Sequence, residues 1–116
     1  MDKKNPTLFG QILENFVATE LQKQLSLLEG YSLFHYRTHD GKEIDFIVER
    51  ADGKIIAIEV KSTSSVETKD FKALYDLEKS IKKDFVCGII LYQGSDIIPF
   101  GKNFFAVPIQ SLWELI

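Results

Sequence analysis

Cysteine is nearly absent. The 116 residues hold one, Cys87, inside an apolar stretch, so no disulfide can form within the chain and a reducing compartment fits it. There is no run of eighteen apolar residues, which excludes a membrane-spanning helix. The opening Met1-Asp2-Lys3-Lys4-Asn5-Pro6 lacks the apolar stretch of a secretory signal, and the expected location is cytoplasmic. A basic excess is lacking too. Fourteen Lys and Arg stand against 17 Asp and Glu, a formal charge of −3, which argues against tight unaided DNA binding because that affinity comes from Lys and Arg contacts to phosphate. A bound divalent cation would offset part of an acidic site. Repeats, low-complexity segments and a Walker-type phosphate loop are absent. What remains is an ordinary globular composition, 45% hydrophobic and 27% charged, with length for one core, so residues 1–116 read as a single domain.

The chain is organised around a hairpin, Gly41 to Ser62. Ile44, Phe46 and Val48 alternate in one arm and Ile56, Ile58 and Val60 in the other, the period of half-buried strands. A two-residue Asp52-Gly53 turn would pair Asp45 with Val60 and put the two apolar sets on opposite faces. A three-residue loop, Ala51-Asp52-Gly53 with Gly53 left-handed, pairs Asp45 with Glu59 and Glu43 with Lys61, and gathers the six apolar residues on one face. The second register is expected. It sets the Asp45 and Glu59 Cβ atoms ~4.5 to 5.5 Å apart, a repelling pair unless a cation lies between them. Mg²⁺ or Mn²⁺ suits such oxygens, with the Val60 carbonyl as a further ligand. Lys61, two residues on, would orient or deprotonate a water or stabilise charge on a phosphate oxygen. The plainer alternative is a surface hairpin with cross-strand ion pairs, Glu43 to Lys61 among them.

Gly41-x-Glu43-Ile-Asp45 followed by Ile-Glu59-Val-Lys61-Ser resembles the core motif of the PD-(D/E)XK nuclease superfamily, the restriction-endonuclease-like fold. More narrowly, residues 8 to 115 resemble the nuclease-like C-terminal domain, of undefined function, that follows the P-loop module in many prokaryotic AAA-type ATPases. The resemblance implies Asp45 and Glu59 as metal ligands and Lys61 as the catalytic lysine, with Ile44 where the superfamily has proline. Gly10-x-x-x-Glu14 resembles the N-terminal glutamate motif of archaeal Holliday-junction resolvases, which implies that Glu14 joins the site through a water or a second ion.

Around the hairpin, residues 8 to 29 read as an amphipathic helix stopped by Gly30, with Leu8, Phe9, Ile12, Leu13, Phe16, Val17, Leu21, Leu25 and Leu28 at helical spacing. At ~100° per residue Glu14 falls at the edge of that stripe and Glu20 nearer its centre. Glu20 is therefore a weaker candidate ligand, and partly exposed helix glutamates are the alternative for both. Tyr31 to Thr38 reads as a strand. Its Arg37 suits a phosphate contact, or an ion pair with Glu43 or Glu49. His35, Arg37 and His39 share a face but lack a cysteine partner, which argues against a separate metal cluster.

Ser64-x-x-Glu67 reads as a capping box for a helix to about Lys83, whose Phe71, Leu74, Leu77 and Ile81 should cover the face of Ile44, Phe46, Val48, Ile56, Ile58 and Val60. Its lysines are interleaved with Asp70, Asp76 and Glu78, a solvated face rather than a DNA patch. The glutamine that assists the site in some relatives is missing there. Phe85 to Tyr92 reads as a central strand, parallel to the Glu59 strand through a right-handed crossover. Strands over 97–100 and 104–107 and a helix over 109–115, anchored by Trp113, complete the chain.

The expected fold is α/β, a restriction-endonuclease-like mixed central sheet flanked by helices, with an αβββαβ core plus a short hairpin and a terminal helix. Two functions are compatible with it. One is a Mg²⁺- or Mn²⁺-dependent DNA phosphodiesterase. The other is a catalytically silent binding or regulatory module of an AAA-type ATPase.

Overall fold

The computed structural model describes residues 8–37 and 41–114. The elements are α1 (Leu8–Leu25), β1 (Tyr31–Arg37), β2 (Glu43–Arg50), β3 (Ile55–Val60), a 3-10 turn (Thr68–Phe71) leading into α2 (Lys72–Ile81), a second 3-10 turn (Lys82–Asp84), β4 (Phe85–Tyr92), β5 (Ile98–Pro99), β6 (Phe104–Pro108) and α3 (Ser111–Glu114). The six strands form one mixed sheet in the order β1-β2-β3-β4-β6-β5. β1, β2 and β3 are an antiparallel meander, β4 runs parallel to both β3 and β6, and β5 pairs antiparallel with β6. This is the α/β arrangement expected above, with helices on both sheet faces. Among the described residues no helix is long and apolar enough to cross a membrane.

The β2–β3 register is the one expected from the apolar alternation. Phe46 pairs with Ile58, Ile47 with Ala57, Val48 with Ile56 and Glu49 with Ile55. The Arg50 N–H donates to the Lys54 carbonyl and the Gly53 N–H to the Arg50 carbonyl, both at 2.9 Å, which closes the loop Ala51-Asp52-Gly53. Gly53 has φ +87°, the left-handed conformation that costs glycine little and other residues more. The Asp52 carboxylate accepts from the Arg50 guanidinium and the Lys54 N–H. The Arg50 hydrogen bond holds that carboxyl down to about 2, burial opposing it only in part.

The expected division of the sheet faces is corrected. Phe46, Val48 and Ile58 do share a face, with Ile56 and Val60 half-buried beside them, but its cover is α1, through Val17 and Leu21, together with Ile109 and Leu112. α2 lies on the other side, where Phe71, Leu74 and Leu77 pack on Ile47, Ala57, Ile90, Phe104 and Ala106. Ile44 belongs to that second cluster, although its even number puts it in the first. The reason is a bulge. Phe34 pairs with Ile47 but Tyr36 with Ile44, so Asp45 and Phe46 together oppose His35. The extra residue reverses the alternation and turns Ile44 under α2.

Local start and stop signals also differ in detail. α1 ends at Leu25, and its last turn relaxes into shorter-span bonds from the Leu27 N–H to Gln24 and from the Leu28 N–H to Leu25, before Gly30. Leu8 and Ile12 lie across the helix from Val17 at ~100° per residue, and they stay exposed. The capping box is Glu67-x-x-Asp70 rather than Ser64-x-x-Glu67, with the Glu67 N–H donating to Asp70 Oδ2 at 2.7 Å. Residues 62–67 serve the sheet end instead, where the Gln93 N–H donates to the Thr63 carbonyl. The terminal helix is anchored on the α1 side by the buried Ile109 and Leu112, and the Trp113 side chain lies outside the described ones.

Candidate functional site

β2 and β3 bring the predicted residues to one end of their ladder. The ladder closes at Phe46 and Ile58, one residue short of Asp45 and Glu59. Asp45, at the bulge, takes the Val60 N–H on its Oδ2 at 2.7 Å. A carboxylate thus serves where the next strand carbonyl would have served in an unbroken ladder. Glu59 is 5% exposed and pairs in the parallel register with Ile90, so it lies on the α2 face with Ala57 and Ile90. A glutamate so placed within an apolar strand is unusual, since buried carboxylates need partners.

Lys61 follows at the end of β3, its N–H donating to the Leu91 carbonyl at 2.8 Å. Its side chain does not cross to Glu43. Nζ instead donates to Asp70 Oδ2 at 2.6 Å, and Glu43 pairs with Arg37 on β1 at 2.7 Å. The β2–β3 ladder ends at Phe46, before Glu43 is reached, while the 3-10 turn brings Asp70 to Lys61 at the end of β3. For Asp70, burial works to raise the carboxyl. The Lys61 hydrogen bond and the Glu67 N–H outweigh it and hold the group below its ordinary value of 3.8. Asp70 does not stand out in the sequence because it lies among lysines on what reads as a solvated face. The signal that finds it is the Glu67-x-x-Asp70 spacing.

The remaining candidates are spread further. Glu14 is half-buried on α1, three residues before the fully buried Val17. Glu20 is buried on the same helix, with its carboxylate 3.0 Å from Lys23 Nζ. α1 covers the face opposite to that of Glu59. Arg37 is engaged by Glu43, the ion pair weighed against a phosphate contact. The His35 ring lies 5.3 Å from that of Phe46, and His39 lies outside the described residues. Among the described residues no group of three or more His, Cys, Asp and Glu side chains is gathered to hold a metal ion. The pair Asp45 and Glu59, with the Val60 carbonyl, supplies the hard oxygen donors a divalent cation takes, and water would have to complete its shell.

The chain is an α/β protein with a mixed sheet in which Asp45 lies on β2, Glu59 on β3 and Lys61 just beyond it. The chain belongs to the family described as Domain of unknown function (DUF4143), whose profile matches residues 9–112. No curated protein matches it. Among solved structures it is similar to a repair endonuclease from Pyrococcus abyssi, at 19% identity and TM-score 0.44, over 66% of this chain and 38% of that one. The structure of an EndoMS-dsDNA2 complex is similar at 15% identity and TM-score 0.43, over 66% and 36%. Pyrococcus furiosus SfsA in complex with Ca²⁺ is similar at 20% identity and TM-score 0.44, over 90% and 52%. The chain therefore spans no more than 52% of the length of these proteins.

Proposed function

We propose that the protein is a Mg²⁺- or Mn²⁺-dependent phosphodiesterase acting on DNA in the cytoplasm, built on the PD-(D/E)XK plan. The observation that supports this reading is the β2–β3 ladder, which ends at Phe46 and Ile58, next to Asp45 on one strand and Glu59 on the other, with Lys61 two residues beyond Glu59. Asp45, Glu59 and the Val60 carbonyl would hold the cation. When bound, it would lower the pKa of a coordinated water and neutralise charge on a phosphate oxygen. The protein's own contribution is positional. The Val60 N–H orients the Asp45 carboxylate, the buried sheet wall around Glu59 keeps bulk water from its inner side, and Lys61 brings an ammonium to the same strand end.

Metal binding is tested by melting. At low salt, millimolar Mn²⁺ or Mg²⁺ should raise the melting temperature of the unmutated protein by binding the folded state. Asp45→Asn should remove that rise. An unmutated protein whose melting temperature does not respond to either ion counts against the metal site.

A second reading, a silent regulatory module docked on an AAA-type ATPase, is favoured by a different observation. Leu8, Phe9 and Ile12 on α1 are 73%, 54% and 57% exposed, an apolar surface of the kind that protein partners cover. The formal charge of −3 points the same way. Metal binding without cleavage of any DNA form would select this reading.

A further inference from the structure

We propose that Asp70 is the positioning residue for Lys61, holding its head group at the end of β3. The inference rests on the phosphodiesterase reading and assigns a residue that the sequence motif does not contain.

Both ends of the Lys61–Asp70 pair are anchored. On one side, the Lys61 N–H is tied to the Leu91 carbonyl of the neighbouring parallel strand. On the other, the Asp70 N–H donates to the Glu67 carbonyl at 3.0 Å while Asp70 Oδ2 accepts the Glu67 N–H at 2.7 Å. The next residue, Phe71, is fully buried, with its ring centre 4.8 Å from Phe100 and 5.9 Å from Tyr75. The same Oδ2 then takes Lys61 Nζ at 2.6 Å, and the two side chains are only 26% and 21% exposed. A flexible four-carbon stem is thereby held at one place at the end of β3.

The chemistry of the head group follows. An ammonium has three N–H donors and no lone pair. One donor goes to Asp70, which leaves two for a phosphate oxygen or for an attacking water. Asp70 thus fixes where the Lys61 head group stands at the end of β3.

The test has one arm independent of turnover. On brief treatment with acetic anhydride, read residue by residue by mass spectrometry, Lys61 should be acylated about threefold or more slowly in the unmutated protein than in Asp70→Asn or Asp70→Ala. With Mn²⁺ and DNA, Asp70→Asn should lower kcat on the order of tenfold while KM stays within about twofold. Asp70→Glu should restore part of the loss. Asp70→Asn retains an acceptor for the Glu67 N–H, so its melting temperature guards against a mere loss of folding. Equal acylation of Lys61 with and without the Asp70 carboxylate overturns the positioning role. Absence of cleavage by the unmutated chain refutes the phosphodiesterase reading, while the acylation rates still decide whether Asp70 holds Lys61.

Discussion

The Asp45 carboxylate accepts the Val60 N–H at 2.7 Å, so the acid proposed to bind metal also closes the end of the β2–β3 ladder. The two roles separate by mutation. Asp45→Asn keeps an oxygen for Val60 and should change the metal-free stability by no more than about 1 kcal/mol. Asp45→Ala leaves that part-buried N–H without its acceptor and should cost roughly 1 to 3 kcal/mol in denaturant unfolding. Equal stabilities for the two variants would contradict the structural role.

Two backbone positions make opposite predictions. Gly53 has φ +87° with open space where a Cβ would stand, so Gly53→Ala meets no clash and should destabilise by about 1 kcal/mol from conformation alone. Lys82, exposed at the end of α2, has φ +51° without being a glycine. Lys82→Gly should therefore leave stability unchanged or raise it by up to about 1 kcal/mol. Chemical denaturation of both variants checks the signs.

Much of this was legible in the sequence, and the exceptions have physical causes. The hairpin register could be read because only the three-residue loop puts Phe46 and Val48 on the same face as Ile56 and Ile58, and β4 because an unbroken apolar run needs cover on both faces. The helix that covers each face could not be read. β2 and β3 are apolar on both sides, through Ile47 and Ala57 as well as Phe46 and Ile58, so alternation does not choose between α1 and α2. A bulge leaves no mark in a periodic pattern, so alternation alone puts Ile44 on the wrong face. In the candidate site, Asp45, Glu59 and Lys61 stood out as charges in apolar strands. The partner of Lys61 did not, because a single aspartate among helix lysines looks like any solvated charge until the 3-10 turn folds it over the strand end.

Acid should reveal Asp70. Its carboxyl is held below 3.8 in the folded state, so its contribution to stability is complete above that value and is lost as the pH falls through the lower, folded one. Asp70→Asn should be less stable than the unmutated protein at pH 7, by up to about 1 kcal/mol. The difference should shrink between about pH 5 and pH 2. A gap that stays constant over that range, measured by urea unfolding, would show that Asp70 stabilises through something other than its charge.

The most direct measurement of the central claim is cleavage of single- and double-stranded DNA by the purified protein with Mn²⁺ and with EDTA, beside Asp45→Asn, Glu59→Gln and Lys61→Gln. The account predicts metal-dependent cleavage that EDTA abolishes, reduced on the order of 10²-fold or more in each variant, with the Lys61→Gln and Asp45→Asn folds intact. Cleavage equally fast without Lys61, or no cleavage of any DNA form by an unmutated protein that demonstrably binds the metal, would contradict it.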